Sequence, residues 1–182
     1  DSRLSGTSQH GVLWKGGTYK EETGWKPVVG ELVSNGGDGI VIRRAAAKDP
    51  KNPTISDLRK KKVVLAQNSP SEYFLLNALV NGGVQPGEVQ FVYTEDAFQA
   101  AAAFNSDKSI AACVSWAPDI YNLSKLPDNH LLVSTATANK LIADVWFARA
   151  DFARDNADIV EGLTRGIFAG MEKMKTEEGR KQ

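Results

Sequence analysis

The chain is predicted to adopt an α/β fold, a mostly parallel sheet with helices on both faces. Three observations carry that expectation. Between residues 62 and 116, short apolar runs alternate with helix-period segments in the order strand, helix, strand, helix, strand. Parallel strands need crossovers of this kind, and such crossovers are right-handed. The run Val63–Ala66 is apolar throughout, and Val89–Tyr93 alternates like a strand. Finally, 182 residues with 42% apolar and 24% charged side chains can bury a core without staples.

The elements follow in order. Residues 1–27 are rich in Gly, Ser, Thr and Lys, and Gly16, Gly17 and Gly24 interrupt any helix. They are expected to pack less well than residues 62–174. Residues 28–33 (VVGELV) and 40–43 (IVIR) read as short strands around the turn 34–39 (SNGGDG). Residues 48–53 (KDPKNP) are a turn, and Thr54 to Leu58 suggests a short capped helix. Four charges, Arg59 to Lys62, form a solvated approach to the strand Val63–Ala66; no aromatics interleave them, as single-strand nucleic-acid binding would want.

Ser69 can cap the next helix, Pro70 suits its first turn, Glu72 sits three residues after the cap, and Gly82-Gly83 stops it. Its inward positions are expected to be Tyr73, Leu76, Leu79 and Val80. Val89–Tyr93 is the next strand. Asp96 to Phe104 is an Ala-rich helix expected to bury Ala97, Phe98, Ala101 and Ala102, and Ile110–Val114 is the third strand. From Trp116 the chain reads as loop until Leu131. Residues 143–148 (ADVWFA) read as a strand, and Asn156 is expected to cap a long helix. The stripe of that helix, Ile159, Val160, Leu163, Ile167, Met171 and Met174, reads as core.

Composition excludes several classes. Lys plus Arg (22) balances Asp plus Glu (22), so the whole chain is not built for nucleic acid. The balance is uneven along its length: residues 1–62 carry 12 basic and 7 acidic side chains, residues 63–182 carry 10 and 15. No apolar run reaches the roughly 18 residues of a membrane span. Catalysis has no visible apparatus. His10 and His130 are isolated, Cys113 lies inside an apolar strand, and no nucleophile elbow, phosphate-loop lysine or zinc-protease pattern occurs. Neither a cofactor nor a metal is expected. Asn122-Leu123-Ser124 is a formal glycosylation sequon of the kind that arises by chance.

The chemistry that is visible sits where strands end. The helix opening at Ser69-Pro70-Ser71 follows a strand, so its N–H groups, dipole and two hydroxyls either hold an anion or only cap the helix. Trp116, at the end of another strand, either walls a pocket or packs under its loop. Asp119 and Asp144 lie beside strands and are acceptors for a polar or cationic ligand, or caps.

Residues 55–76 (ISDLRKKKVVLAQNSPSEYFLL) resemble the entry into the second lobe of nitrate/sulfonate/taurine-type ABC-transporter solute-binding proteins. Gly83-Val84, the strand 89–92 (VQFV) and the Ala-rich segment 96–104 continue the likeness. Residues 109–118 (SIAACVSWAP) resemble that family's VDAxVxWxP segment, 144–149 (DVWFAR) its return toward the first lobe, and 34–41 (SNGGDGIV) its strand crossing. The resemblance covers roughly residues 34–174. It implies a type 2 periplasmic-binding-protein fold, two lobes closing on a small solute, with Ser69 and Ser71 lining the cleft and Trp116 near the crossover. Ser34, Asn35 and Asp38 would sit near the other crossover. Only 33 residues precede Ser34, so an incomplete first lobe is expected. The implied organisation is a first-lobe remnant with crossover over 1–61, a second lobe over 62–130, and a return crossover with C-terminal helix over 131–182.

The implied function is non-catalytic binding of a small anionic solute, such as a sulfonate or nitrate, for the permease of an ABC importer. The implied location is the periplasm or a lipid-anchored position at the cell surface. The alternative is an interaction domain within a larger envelope or signalling protein. An enzyme ranks last: some relatives of this fold make a pyrimidine precursor, but this chain has one Cys and no clustered His.

Overall fold

A computed structural model describes residues 25–27, 32–138, 141–144 and 147–181. The expectations for residues 1–24, for most of 28–33 and for His10 fall outside the described residues. In chain order the strands are β1 (Trp25–Pro27), β2 (Leu32–Val33), β3 (Asp38–Arg43), β4 (Lys62–Ala66), β5 (Gln90–Thr94), β6 (Ala112–Trp116), β7 (Asn129–Ser134), β8 (Ala143–Asp144) and β9 (Phe147–Arg149). The helices are α1 (Pro70–Asn81), α2 (Ala97–Ser106), α3 (Asp119–Ser124), α4 (Ala150–Asp155), α5 (Ala157–Met174) and α6 (Glu177–Lys181). They fall into two compact units, one spanning residues 33–143 and one comprising β1, Leu32 and residues 144–181. No described helix is long and apolar enough to cross a membrane.

The first unit is a five-stranded sheet in the order β5-β4-β6-β3-β7. β4 pairs parallel with β5 and β6, whereas β3 runs antiparallel to β6 and β7. Four strands therefore share one direction and β3 alone opposes it, which makes the sheet mostly parallel. Alternation along the strands sorts the core into two faces. Ile40, Ile42, Val63, Leu65 and Val114 meet Phe74, Leu75 and Leu79 of α1 on one side. Val41, Val64 and Cys113 meet Ala100 and Phe104 of α2, with Ile120 and Leu123 of α3, on the other.

Three expectations about faces are corrected. In α1 the buried side chains are Ser71, Phe74, Leu75 and Leu79, while Tyr73 and Val80 face solvent. The run from Phe74 to Val80 is apolar at all but one position, so several stripes fit it and packing against β4 and β6 chooses. In α2 the buried set is Ala97, Ala100, Ala101 and Phe104, while Phe98 is 52% exposed and Ala102 faces out. Alanines there let the helix approach the sheet closely. The stretch read as loop contains α3, whose Ile120 and Leu123 supply an i, i+3 pair to the core.

The second unit holds the antiparallel ladder of β1 with β9, Trp25 opposite Arg149 and Pro27 opposite Phe147, followed by α4, α5 and α6. The stripe of α5, expected as core, contains no buried residue. Asn156 does not cap α5 through its side chain; it joins α4 to α5, and its Nδ2 donates back to the Phe152 carbonyl at 3.1 Å.

Candidate functional site

Register places several polar loops along one edge of the five-stranded sheet. Ala66 lies opposite Thr94, Val64 opposite Cys113, Asp38 opposite Trp116, and Gly39 opposite Ser134. Trp116, Asp38 and Thr135 lie beside one another at this edge, and Gln67 leaves β4 at the same edge, one residue beyond Ala66. Asp38 continues the alternation of Ile40 on the α1 face, whereas Trp116, at the end of β6, meets Phe98 of α2. This is the edge where the parallel strands end and α1 begins, which is where open α/β sheets take ligands.

At the start of α1, Asn68 adopts a left-handed conformation (φ 51°) that turns the chain out of β4. The Ser69 hydroxyl donates to the Ala66 carbonyl at 2.7 Å and accepts from the Ser71 N–H at 3.1 Å. Glu72 accepts from the Asn68 N–H at 2.6 Å and from the Tyr93 hydroxyl at 2.9 Å. Pro70 has no N–H, and the Glu72 N–H turns to the Ser69 carbonyl at 3.1 Å. The backbone donors expected to be open to an anion are thus largely engaged. The Ser71 hydroxyl is different. Ser71 is 1% exposed, and its Oγ is the buried side-chain polar atom without a hydrogen-bond partner among the described residues.

Across the sheet a second cluster forms around Thr135, which is fully buried. Its Oγ1 accepts from the Gly36 N–H at 2.9 Å and the Asp38 N–H at 3.2 Å, and lies 2.9 Å from the Ser34 hydroxyl. Ser34 donates its one proton to the Asp38 carboxylate at 2.5 Å, so the Thr135 proton goes to Ser34. Gly36 takes a positive φ of 87° to make the turn, and the Ala117 N–H donates to the Gly37 carbonyl at 2.7 Å, tying this turn to the Trp116 loop. The structure therefore brings together Ser34, Asp38 and Trp116 at the edge that also carries Ser69 and Ser71. Asn35 is exposed in the turn. Asp119 opens α3, on the opposite face of the sheet, and Asp144 belongs to the second unit. Sequence reading missed Thr135, because a lone Thr in 134–138 (STATA) carries no motif.

The Trp116 ring packs edge-on against Phe98, with centroids 6.1 Å apart at 85°. Residues 34–38, 67–71, 94–98 and 116–119 at this edge contain no Lys or Arg but do contain Asp38, Glu95, Asp96 and Asp119, and the segment between β7 and β8 carries Lys140. A groove of about 440 Å³, lined by Ile55, Phe74, Asn81, Leu132 and Leu141 among others, runs beside the far half of α1.

The candidate catalysts are elsewhere. Burial, reinforced by Asp119, pushes the Cys113 thiol up to about 12. His130 sits opposite Ile42, towards the other end of β3, where burial and Arg44 hold it below its ordinary value.

No family model matches the chain. Over 134 residues it is 28% identical to the taurine-binding periplasmic protein of Escherichia coli K12, a match covering 72% of this chain and 39% of that one. It superposes on the periplasmic aliphatic sulphonate binding protein of Escherichia coli with a TM-score of 0.61 and 21% identity, covering 77% of this chain and 46% of the other. The alkanesulfonate-binding protein of Xanthomonas axonopodis pv. citri, bound to MOPS, superposes with a TM-score of 0.64 and 18% identity over 86% and 51%. A desulfurization enzyme shares the fold at a TM-score of 0.59 and 14% identity, over 84% and 57%. The chain thus has a periplasmic-binding-protein-like fold and is similar in sequence to a taurine-binding protein, and it spans about half the length of these proteins or less.

Proposed function

We propose that the edge at Ser71 holds the head group of a small organic monoanion of the sulfonate class, bound without turnover, as part of a periplasmic solute-binding protein serving an ABC importer. The observation that carries this reading is the buried, unpartnered Ser71 hydroxyl in the first turn of α1. A buried hydroxyl without a partner costs roughly 1–3 kcal/mol, and a ligand oxygen would remove that cost while meeting the positive end of the helix dipole. Ser69 serves as the cap that places Ser71. Ser71 offers a neutral donor, and with Asp38, Glu95 and Asp96 in the loops of this edge it suits a singly charged, weakly hydrated sulfonate better than a dianion. The likeness to the taurine-binding periplasmic protein supports the same solute class and the periplasmic location; delivery to a permease rests on the sequence resemblance to ABC-transporter solute-binding proteins.

Absence of turnover rests on placement. Cys113 is a buried thiol within the sheet and His130 lies at the other end of it, so among the described residues neither meets the edge as a nucleophile with its base. Titration calorimetry of the chain with methanesulfonate and with sulfate, on wild type and Ser71→Ala, tests the reading. Methanesulfonate should bind more tightly than sulfate, and Ser71→Ala should weaken it about tenfold or more. No binding by the wild type, or an affinity indifferent to Ser71→Ala, would leave Ser69-Pro70-Ser71 as a helix cap only.

A further inference from the structure

We infer that Phe98, paired edge-on with Trp116, selects sulfonates carrying an apolar or aryl body over those that are little more than the head group. The inference rests on the anion-holding edge proposed above and adds a specificity residue to it. Phe98 is the second residue of α2 and was expected in the core, yet the core of that helix is completed by Ala97, Ala100, Ala101 and Phe104 without it. It stays 52% exposed, and the partner it does have is Trp116, with ring centroids 6.1 Å apart at 85°. Trp116 is the last residue of β6, at the same strand-end edge at which β4 ends and the loop to Ser69 begins. The pair therefore lies at the start of α2, at the sheet edge that also carries Ser71.

A half-exposed ring set at right angles to a partly buried one offers a face or an edge to a third apolar group. Nothing in the surrounding loops competes for them with a cationic side chain, since residues 94–98 and 116–119 hold no Lys or Arg. Asp96 accepts from the Gln99 N–H at 2.8 Å as the cap of α2. An apolar body attached to a head group at Ser71 is the ligand chemistry that this arrangement complements.

The test is a calorimetric series with methanesulfonate, butane-1-sulfonate and benzenesulfonate on wild type, Phe98→Ala and Phe98→Leu, with circular dichroism confirming each fold. Benzenesulfonate should bind wild type about tenfold or more tightly than methanesulfonate, with butane-1-sulfonate between them. Phe98→Ala should collapse that ratio towards one, and Phe98→Leu should restore part of it for the butyl compound but little for the aryl one. Equal affinities across the series in wild type would overturn the selection while leaving the anion-holding edge intact. A ratio that survives Phe98→Ala would do the same. No measurable binding of any of the three would overturn both.

Discussion

Thr135 holds three groups with one side chain, accepting from the Gly36 and Asp38 N–H groups and donating to Ser34. Valine has nearly the same shape and none of this capacity. Thr135→Val should cost about 1–3 kcal/mol in urea unfolding, because two N–H groups lose their acceptor in a buried setting, whereas Thr135→Ser should retain most of the stability. Asp57 shows the same logic with a charge. Burial opposes its ionisation, but the Lys48 N–H at 3.0 Å, the Thr54 N–H at 2.8 Å and the Thr54 hydroxyl at 3.1 Å outweigh burial and hold its carboxyl below the ordinary value. A depressed carboxyl stabilises the fold above its unfolded pKa, near 4, and that contribution is lost as pH falls through the lower folded value. Asp57→Asn should therefore be less stable than wild type at pH 7, and the gap should close below about pH 4. A gap that stayed constant from pH 7 to pH 3 would contradict this assignment.

At the scale of elements, α1 separates what the sequence states from what packing decides. Its start and stop were legible, since Ser69, Pro70 and Gly82 are each local signals that act without the rest of the fold. Its face was not, because Phe74, Leu75, Leu76, Ala78, Leu79 and Val80 satisfy more than one stripe. Leu79 is fully buried and Val80 is 67% exposed. Leu79→Ala should cost about 2–5 kcal/mol, while Val80→Lys should change stability by less than about 0.5 kcal/mol; comparable costs for the two would restore the face expected from periodicity. The candidate site divides in the same way. Ser69, Ser71 and Trp116 could be found because each lies at or within a few residues of the end of an apolar run, so strand ends announced them. Thr135 and the Phe98 contact could not, because both depend on which strands become neighbours, and β3 joining the sheet antiparallel between β6 and β7 is written in no local motif.

For the molecule as a whole, the distribution of burial sets what opens first. Every buried apolar side chain among the described residues belongs to residues 33–143, from Ile40 to Ile142. The centre of that unit is β4, β6 and β3, whose Val63 to Ala66, Ala112 to Val114 and Ile40 to Ile42 are each almost inaccessible. In the other unit, α5 leaves Ile159, Leu163, Phe168 and Met174 half exposed and buries no residue. Its ladder has two strands of three residues each, and an isolated pair of that size is marginal in water. Local opening free energy follows buried contacts, so the two units should not exchange amide hydrogens at one rate. Native-state exchange should find the slowest amides in β3, β4 and β6, and those of α5 roughly a hundredfold faster or more. Added denaturant should open α5 well before the sheet. Uniform protection of α5 and β4 in the isolated chain would show that the apolar stripe of α5 is covered in solution, and a single cooperative transition would then replace the two-step opening expected here.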